Sequence, residues 1–177
     1  MNAEAAAAAT RLCTACGMCC DGTMFQIVRM QPGDAPAELG RLGMKIRCQD
    51  GAFHMEQPCA ALVERRCQIY ARRPTRCRLF NCQQIVRLEA GTVTEAEVAK
   101  MVAGTLELVR QVRDLIERGG LREDGQALAE RYERLMSTPV NVTLEPEMVP
   151  LREELERQMK KLRALLTREF RVPAAPG

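Results

Sequence analysis

Tryptophan is absent, and four Phe with two Tyr bring the aromatic content to only 3%. Leu, Val, Ala and Met must therefore pack the interior, which suits helices better than a sandwich. There is a single histidine, and no acid pair stands beside the motifs, which leaves little for acid–base catalysis. No run of 18 apolar residues occurs, so no membrane-spanning helix is expected. The first eleven residues include a Glu, carry no basic n-region and have no Leu-rich core. They do not read as a signal peptide, and a cytoplasmic location is the expectation. A formal net charge of +3 is a poor argument for nucleic acid, and aromatics among the basic residues are too few to stack bases. Lysine is also scarce, at four of 26 basic residues.

Cysteine, by contrast, is abundant. Eight of the nine cysteines fall in two blocks: Cys13, Cys16, Cys19 and Cys20, then Cys59, Cys67, Cys77 and Cys82. The first block packs four thiols into eight residues, a density no ordinary core needs. An odd total in a reducing compartment argues against a disulfide framework. Thiolates are the soft ligands that zinc and iron–sulfur clusters select. Cys13, Cys16 and Cys19 repeat a C-x2-C-x2-C step that can offer three thiolates to a four-iron cluster, with a remote cysteine as the fourth. The same residues could give C-x2-C to a zinc site completed from the second block. Adjacent Cys19 and Cys20 diverge, so they rarely serve one tetrahedral metal. Eight ligands divide into two four-thiolate sites, which fits zinc and iron–sulfur equally. Arg65, Arg66, Arg72, Arg73, Arg76 and Arg78 lie among the ligands, where they could offset thiolate charge or bind phosphate.

Along the chain, residues 2–12 are Ala-rich and read as a short helix leading into the first block. Gly17 permits a tight turn that would aim amide N–H groups at the sulfurs. Thr23 to Met30 reads as a strand, with a brief helical piece around Glu38–Leu42. Asp50-Gly51 marks a two-residue hairpin over 44–57, pairing Cys48 with Phe53, Ile46 with Met55 and Lys45 with Glu56. Cys48 then shares an apolar face with Met44, Ile46, Phe53 and Met55 and is expected to be a small buried hydrophobe outside the metal site. His54 falls beside Arg47 on the other face, where exposure is expected. Pro74 is placed to open a helix carrying Cys77, Leu79, Phe80 and Cys82 as far as Gly91. Thr94-Glu-Ala-Glu97 is a capping box for a helix ending at Gly119-Gly120. A second tail helix is expected over 123–136. A third starts near 146–150 and carries Leu151, Leu155, Met159, Leu162 and Leu166 as a heptad-like seam, to be buried in the chain or on a partner.

The two blocks, their order and the segment Cys67-Gln-Ile-Tyr-Ala-Arg-Arg-Pro74-Thr-Arg-Cys77-Arg-Leu-Phe-Asn-Cys82 resemble the CxxCxxCC (YkgJ-type) zinc- or iron-chelating cysteine-cluster family. The resemblance covers residues 10–90. It implies that Cys13, Cys16, Cys19, Cys20, Cys59, Cys67, Cys77 and Cys82 hold the metal or cofactor, with Cys48 outside. The same domain occurs in flagellin lysine-N-methylases.

The expected fold is mainly α, with a small irregular cysteine-rich α+β module that includes a short hairpin, and a C-terminal helical bundle. The module spans 10–91 and the helical extension 92–171. The expected function is to hold a thiolate-ligated centre, an iron–sulfur cluster (4Fe–4S) ahead of zinc, in support of redox, maturation or modification of a partner. A protein partner, or a homodimer through the C-terminal helix, is expected, and a membrane is not. The alternatives are a metal-dependent, methylase-like protein-modifying enzyme and a zinc module for protein or nucleic-acid interaction.

Overall fold

The computed structural model describes residues 3–122 and 125–172. Its elements in order are α1 (Ala3–Cys16), β1 (Ile27–Arg29), α2 (Pro36–Arg41), β2 (Ile46–Gln49), β3 (Ala52–Glu56), β4 (Leu62–Val63), β5 (Arg66–Cys67), α3 (Thr75–Leu79), α4 (Gln83–Glu89), α5 (Glu95–Arg118), α6 (Leu128–Ser137) and α7 (Met148–Glu169). The fold is mainly α with a small α+β portion. No helix of the described residues is long and apolar enough to cross a membrane. The chain divides into two compact units. A cysteine unit comprises Cys13–Phe80 with Gly125–Glu130, and a helical unit takes the remainder.

In the cysteine unit, β3 is the centre of an antiparallel sheet ordered β1-β3-β2. The Asp50-Gly51 turn forms as its sequence dictates, both residues at positive φ (50° and 73°). Its register is the expected one: Cys48 opposite Phe53, Arg47 opposite His54 and Ile46 opposite Met55. The Glu56 amide closes the base by donating to Lys45 O at 2.9 Å. The core beneath is rich in methionine: Met30, Met44 and Met55 with Leu39, Ala61 and Ile69. Methionine's unbranched thioether fills an irregular space that the scarcity of aromatics leaves open. The strand expected over 23–30 is only three residues long. Residues before it are committed to turns, with the Met24 amide on Met18 O and the Thr23 amide on the Asp21 carboxylate.

Two expectations fail on burial. Cys48 is exposed, as is Phe53 opposite it, because the hairpin tip projects past the methionine core and only its base, at Met55, is fully covered. His54 is half-buried on the central strand, between Arg29 and Arg47, and its Nδ1 is enclosed without a hydrogen-bond partner.

The helical unit follows its sequence signals closely. Thr94 caps α5 through a complete capping box, its hydroxyl accepting from the Glu97 amide and Glu97 accepting from the Thr94 amide. Leu151, Leu155, Met159, Leu162 and Leu166 of α7 are all buried, and α7 packs along α5. The seam is thus covered within the chain. At its end, Phe170 is buried, and Glu169 accepts from Arg87 Nη1 at 2.7 Å, which fastens α4 to this helix pair. The helix expected over 123–136 begins at Leu128; residues 123–124 and residue 2, expected to be helical, lie outside the described residues.

Candidate metal centre

The first cysteine block is built on a helix end. The alanine run carries α1 as far as Cys16, so Cys13 and Cys16 stand on its last turn. Gly17 then takes a positive φ of 67°, which a side chain would oppose, and its amide returns to Cys13 O at 3.1 Å. The amides of Cys20 and Asp21 do turn back, but onto the Gly17 carbonyl, at 2.8 and 3.0 Å, and not onto sulfur. Gly22 is pressed against the start of α6. A Cβ there would stand 2.9 Å from Ala127 Cα, while Gly22 O accepts from the Leu128 amide at 3.0 Å.

The second block reaches the first through the backbone: the Cys59 amide donates to Cys20 O at 2.7 Å. Cys67 ends the β4–β5 hairpin, opposite Leu62. Cys77 lies on α3, whose start is held from afar. The Asp34 carboxylate accepts from both the amide and the hydroxyl of Thr75 at 2.8 Å and from the Gln31 amide at 2.7 Å. Burial alone would push the Asp34 carboxyl up, but these hydrogen bonds outweigh it and hold it below the usual carboxylate range.

Burial and neighbouring thiols raise Cys20, Cys59 and Cys77. Cys20 is pushed up to about 12, first by burial and then by the charges of Cys59, Cys77 and Cys67. Cys77 is pushed up to about 11, again by burial first, then by Cys59 and Cys67, with Arg73 opposing. Cys59 is raised by burial and by Cys67, although a backbone hydrogen bond at Ala61 opposes the rise. Burial and a nearby thiolate both disfavour the charged form, so each of these thiols is held protonated. Cys59, Cys67 and Cys77 also pack on the methionine core, with Cys59 Sγ 3.6 Å from Met44 Sδ, and Cys19 Sγ is 3.8 Å from Met24 Sδ.

The expected single helix from Pro74 to Gly91 is two helices, because Phe80 leaves helical geometry (ψ 117°) to set its ring edge-on to Phe25, centroids 5.2 Å apart. The break separates the last two cysteines. Cys77 belongs to the cysteine unit, whereas Cys82 caps α4 in the helical unit, its carbonyl accepting from the Val86 amide at 3.0 Å.

The arginines act more on oxygen than on sulfur. Arg65 donates to Cys16 O, Arg72 to Glu38 and Arg78 to the Thr75 hydroxyl, while Arg73 lies 3.6 Å over the Tyr70 ring. Asp34 is the site residue that sequence reasoning missed, and Arg65 reads in the sequence only as one of six clustered arginines, without its partner. Their partners are 41 and 49 residues away, beyond the reach of any local pattern.

The donor chemistry suits a soft metal: sulfur from both blocks, shielded by thioethers and aliphatic side chains. Among the described residues, however, no three Cys, His, Asp or Glu side chains are already gathered tightly enough to close on one ion. A thiol-rich module of the metal-chelating kind is the class that this fold and donor set define. Residues 12–101, just over half of the chain, match the model of the CxxCxxCC family, described as a putative zinc- or iron-chelating domain. The chain belongs to that family. Comparison with curated proteins and with solved structures gives no match.

Proposed function

We propose that the cysteine unit holds a thiolate-ligated metal centre whose nucleus is Cys20, Cys59, Cys67 and Cys77, with Cys13, Cys16 and Cys19 beside it. The observation that carries this reading is the packing of Cys59, Cys67 and Cys77 against one methionine core, with the Cys59 amide bonded to the Cys20 carbonyl of the first block at 2.7 Å. Binding would draw the sulfurs inward by rotation about χ1, the only side-chain torsion that places a cysteine sulfur. Each thiol must lose its proton to ligate, so uptake of metal releases protons and is favoured by rising pH.

An iron–sulfur cluster is favoured over zinc by the C-x2-C-x2-C step of Cys13, Cys16 and Cys19. Such a centre supplies electron transfer or Lewis acidity when bound. The chain's own residues supply position, the apolar shield and, through Arg73 near Cys77, some neutralisation of thiolate charge. The role that fits is support of redox, maturation or modification of a protein partner. Anaerobic purification with iron, zinc and acid-labile sulfide analysis tests it. Brown protein with iron and sulfide is expected; colourless protein with zinc overturns the cluster, and metal-free protein overturns the whole reading.

A further inference from the structure

We propose that Arg65 is the positioning residue that seats the first cysteine block against the second, a step that rests on the metal-holding reading above. Leu62 pairs with Cys67 and Val63 with Arg66, which leaves Glu64 and Arg65 as a two-residue loop. Both have positive φ, 47° and 63°. Such a loop is a type I′ turn, where Asn-Gly is the favoured pair because a Cβ resists this backbone. Two successive side chains held in that region persist only when their surroundings fix them there.

What this backbone accomplishes is the placing of the Arg65 side chain. Its Nη1 donates to Cys16 O at 2.7 Å and reaches Ala15 O at 3.4 Å. These carbonyls end α1, where the last turn of a helix lacks acceptor partners of its own and favours a cation. The last turn of α1 contains no basic residue, so the cation comes from the second block. The Arg65 stem runs beside Gly17, where a Cβ would lie in ordinary contact, 3.6 Å from Arg65 Cβ and Cγ. Arg65 therefore grips the helix turn that bears Cys13 and Cys16, while standing two residues before Cys67. It carries no donor for a soft metal, so its effect passes through the cysteines it holds in place.

Two substitutions separate the side chain from the turn. Arg65→Gly installs the residue this backbone prefers and removes the whole side chain, guanidinium included. Glu64→Gly relaxes the neighbouring position and keeps the guanidinium. In the metal-free chain, amide hydrogen exchange at Gly17, Cys20 and Asp21 is expected to speed up roughly tenfold or more in Arg65→Gly and to stay unchanged in Glu64→Gly. Zinc affinity, measured by competition with a chelating dye, is expected to fall roughly 10–100-fold in Arg65→Gly, with partial recovery in Arg65→Lys and none lost in Glu64→Gly. Arg65→Gly with unchanged exchange, or with wild-type zinc affinity, overturns the proposal. Exchange is read without metal. A wild-type chain that takes up neither zinc nor iron therefore defeats the metal-holding reading alone, and the exchange rates still decide Arg65.

Discussion

The backbone amide of Cys59 donates to the carbonyl of Cys20 at 2.7 Å, so the opening residue of the second cysteine block is bonded directly to the closing residue of the first. The two blocks are 39 residues apart in sequence, yet this contact fixes their registry through main chain, independently of any metal. Side chains then tie the same region from both sides. Arg65 holds the helix end that bears Cys13 and Cys16, and Asp34 holds the start of the helix that bears Cys77.

Cys48 stands apart from this arrangement at an exposed hairpin tip. Cys48→Ser is expected to change unfolding free energy by no more than about 0.5 kcal/mol and to keep full metal content. Urea denaturation together with metal analysis checks both. A loss above about 1 kcal/mol would mean that the tip is buried after all.

Gly22 is the glycine with least freedom to change. It combines a φ of 78° with a backbone neighbour 2.9 Å from any added Cβ. Gly22→Ala is expected to cost roughly 2–4 kcal/mol, because the left-handed backbone and the clash with Ala127 add. Thermal unfolding measures it, and a variant within about 0.5 kcal/mol of wild type would contradict the close approach.

The raised thiols predict an alkaline weakness of the metal-free protein. An unfolded cysteine ionises at its ordinary value of 9.0, whereas folded Cys77 and Cys20 hold their protons to about 11 and about 12. Between those values the folded state binds more protons than the unfolded, so stability is fully present below pH 9 and is lost as pH rises through the folded values. Cys20→Ser should flatten this decline. Denaturant midpoints measured from pH 8 upward check the slope, and an unchanged slope in Cys20→Ser would contradict the burial of that thiol.

What the sequence disclosed was local. The Asp50-Gly51 turn set the hairpin register, Thr94 and Glu97 set the start of α5, and the spacing of Leu151 to Leu166 set the buried face of α7. Each of these is decided by residues within a few positions of one another. The break at Phe80 was hidden because it depends on Phe25, 55 residues earlier. Cys48 misled because alternation tells which face of a strand a residue shares, not how far along that strand the core extends. Arg65 read as one of six clustered arginines, and nothing in that cluster marks the one whose backbone is left-handed.

The central claim is that thiols from both blocks serve one centre, and metal stoichiometry in single Cys→Ser variants tests it most directly. Protein should be produced identically for Cys20→Ser, Cys59→Ser, Cys67→Ser, Cys77→Ser and, as the internal control, Cys48→Ser, with zinc, iron and sulfide determined per chain. Each of the first four is expected to lose metal, while Cys48→Ser keeps the wild-type amount. Full metal content in Cys20→Ser together with Cys59→Ser, the two residues bonded across the blocks, would contradict the account.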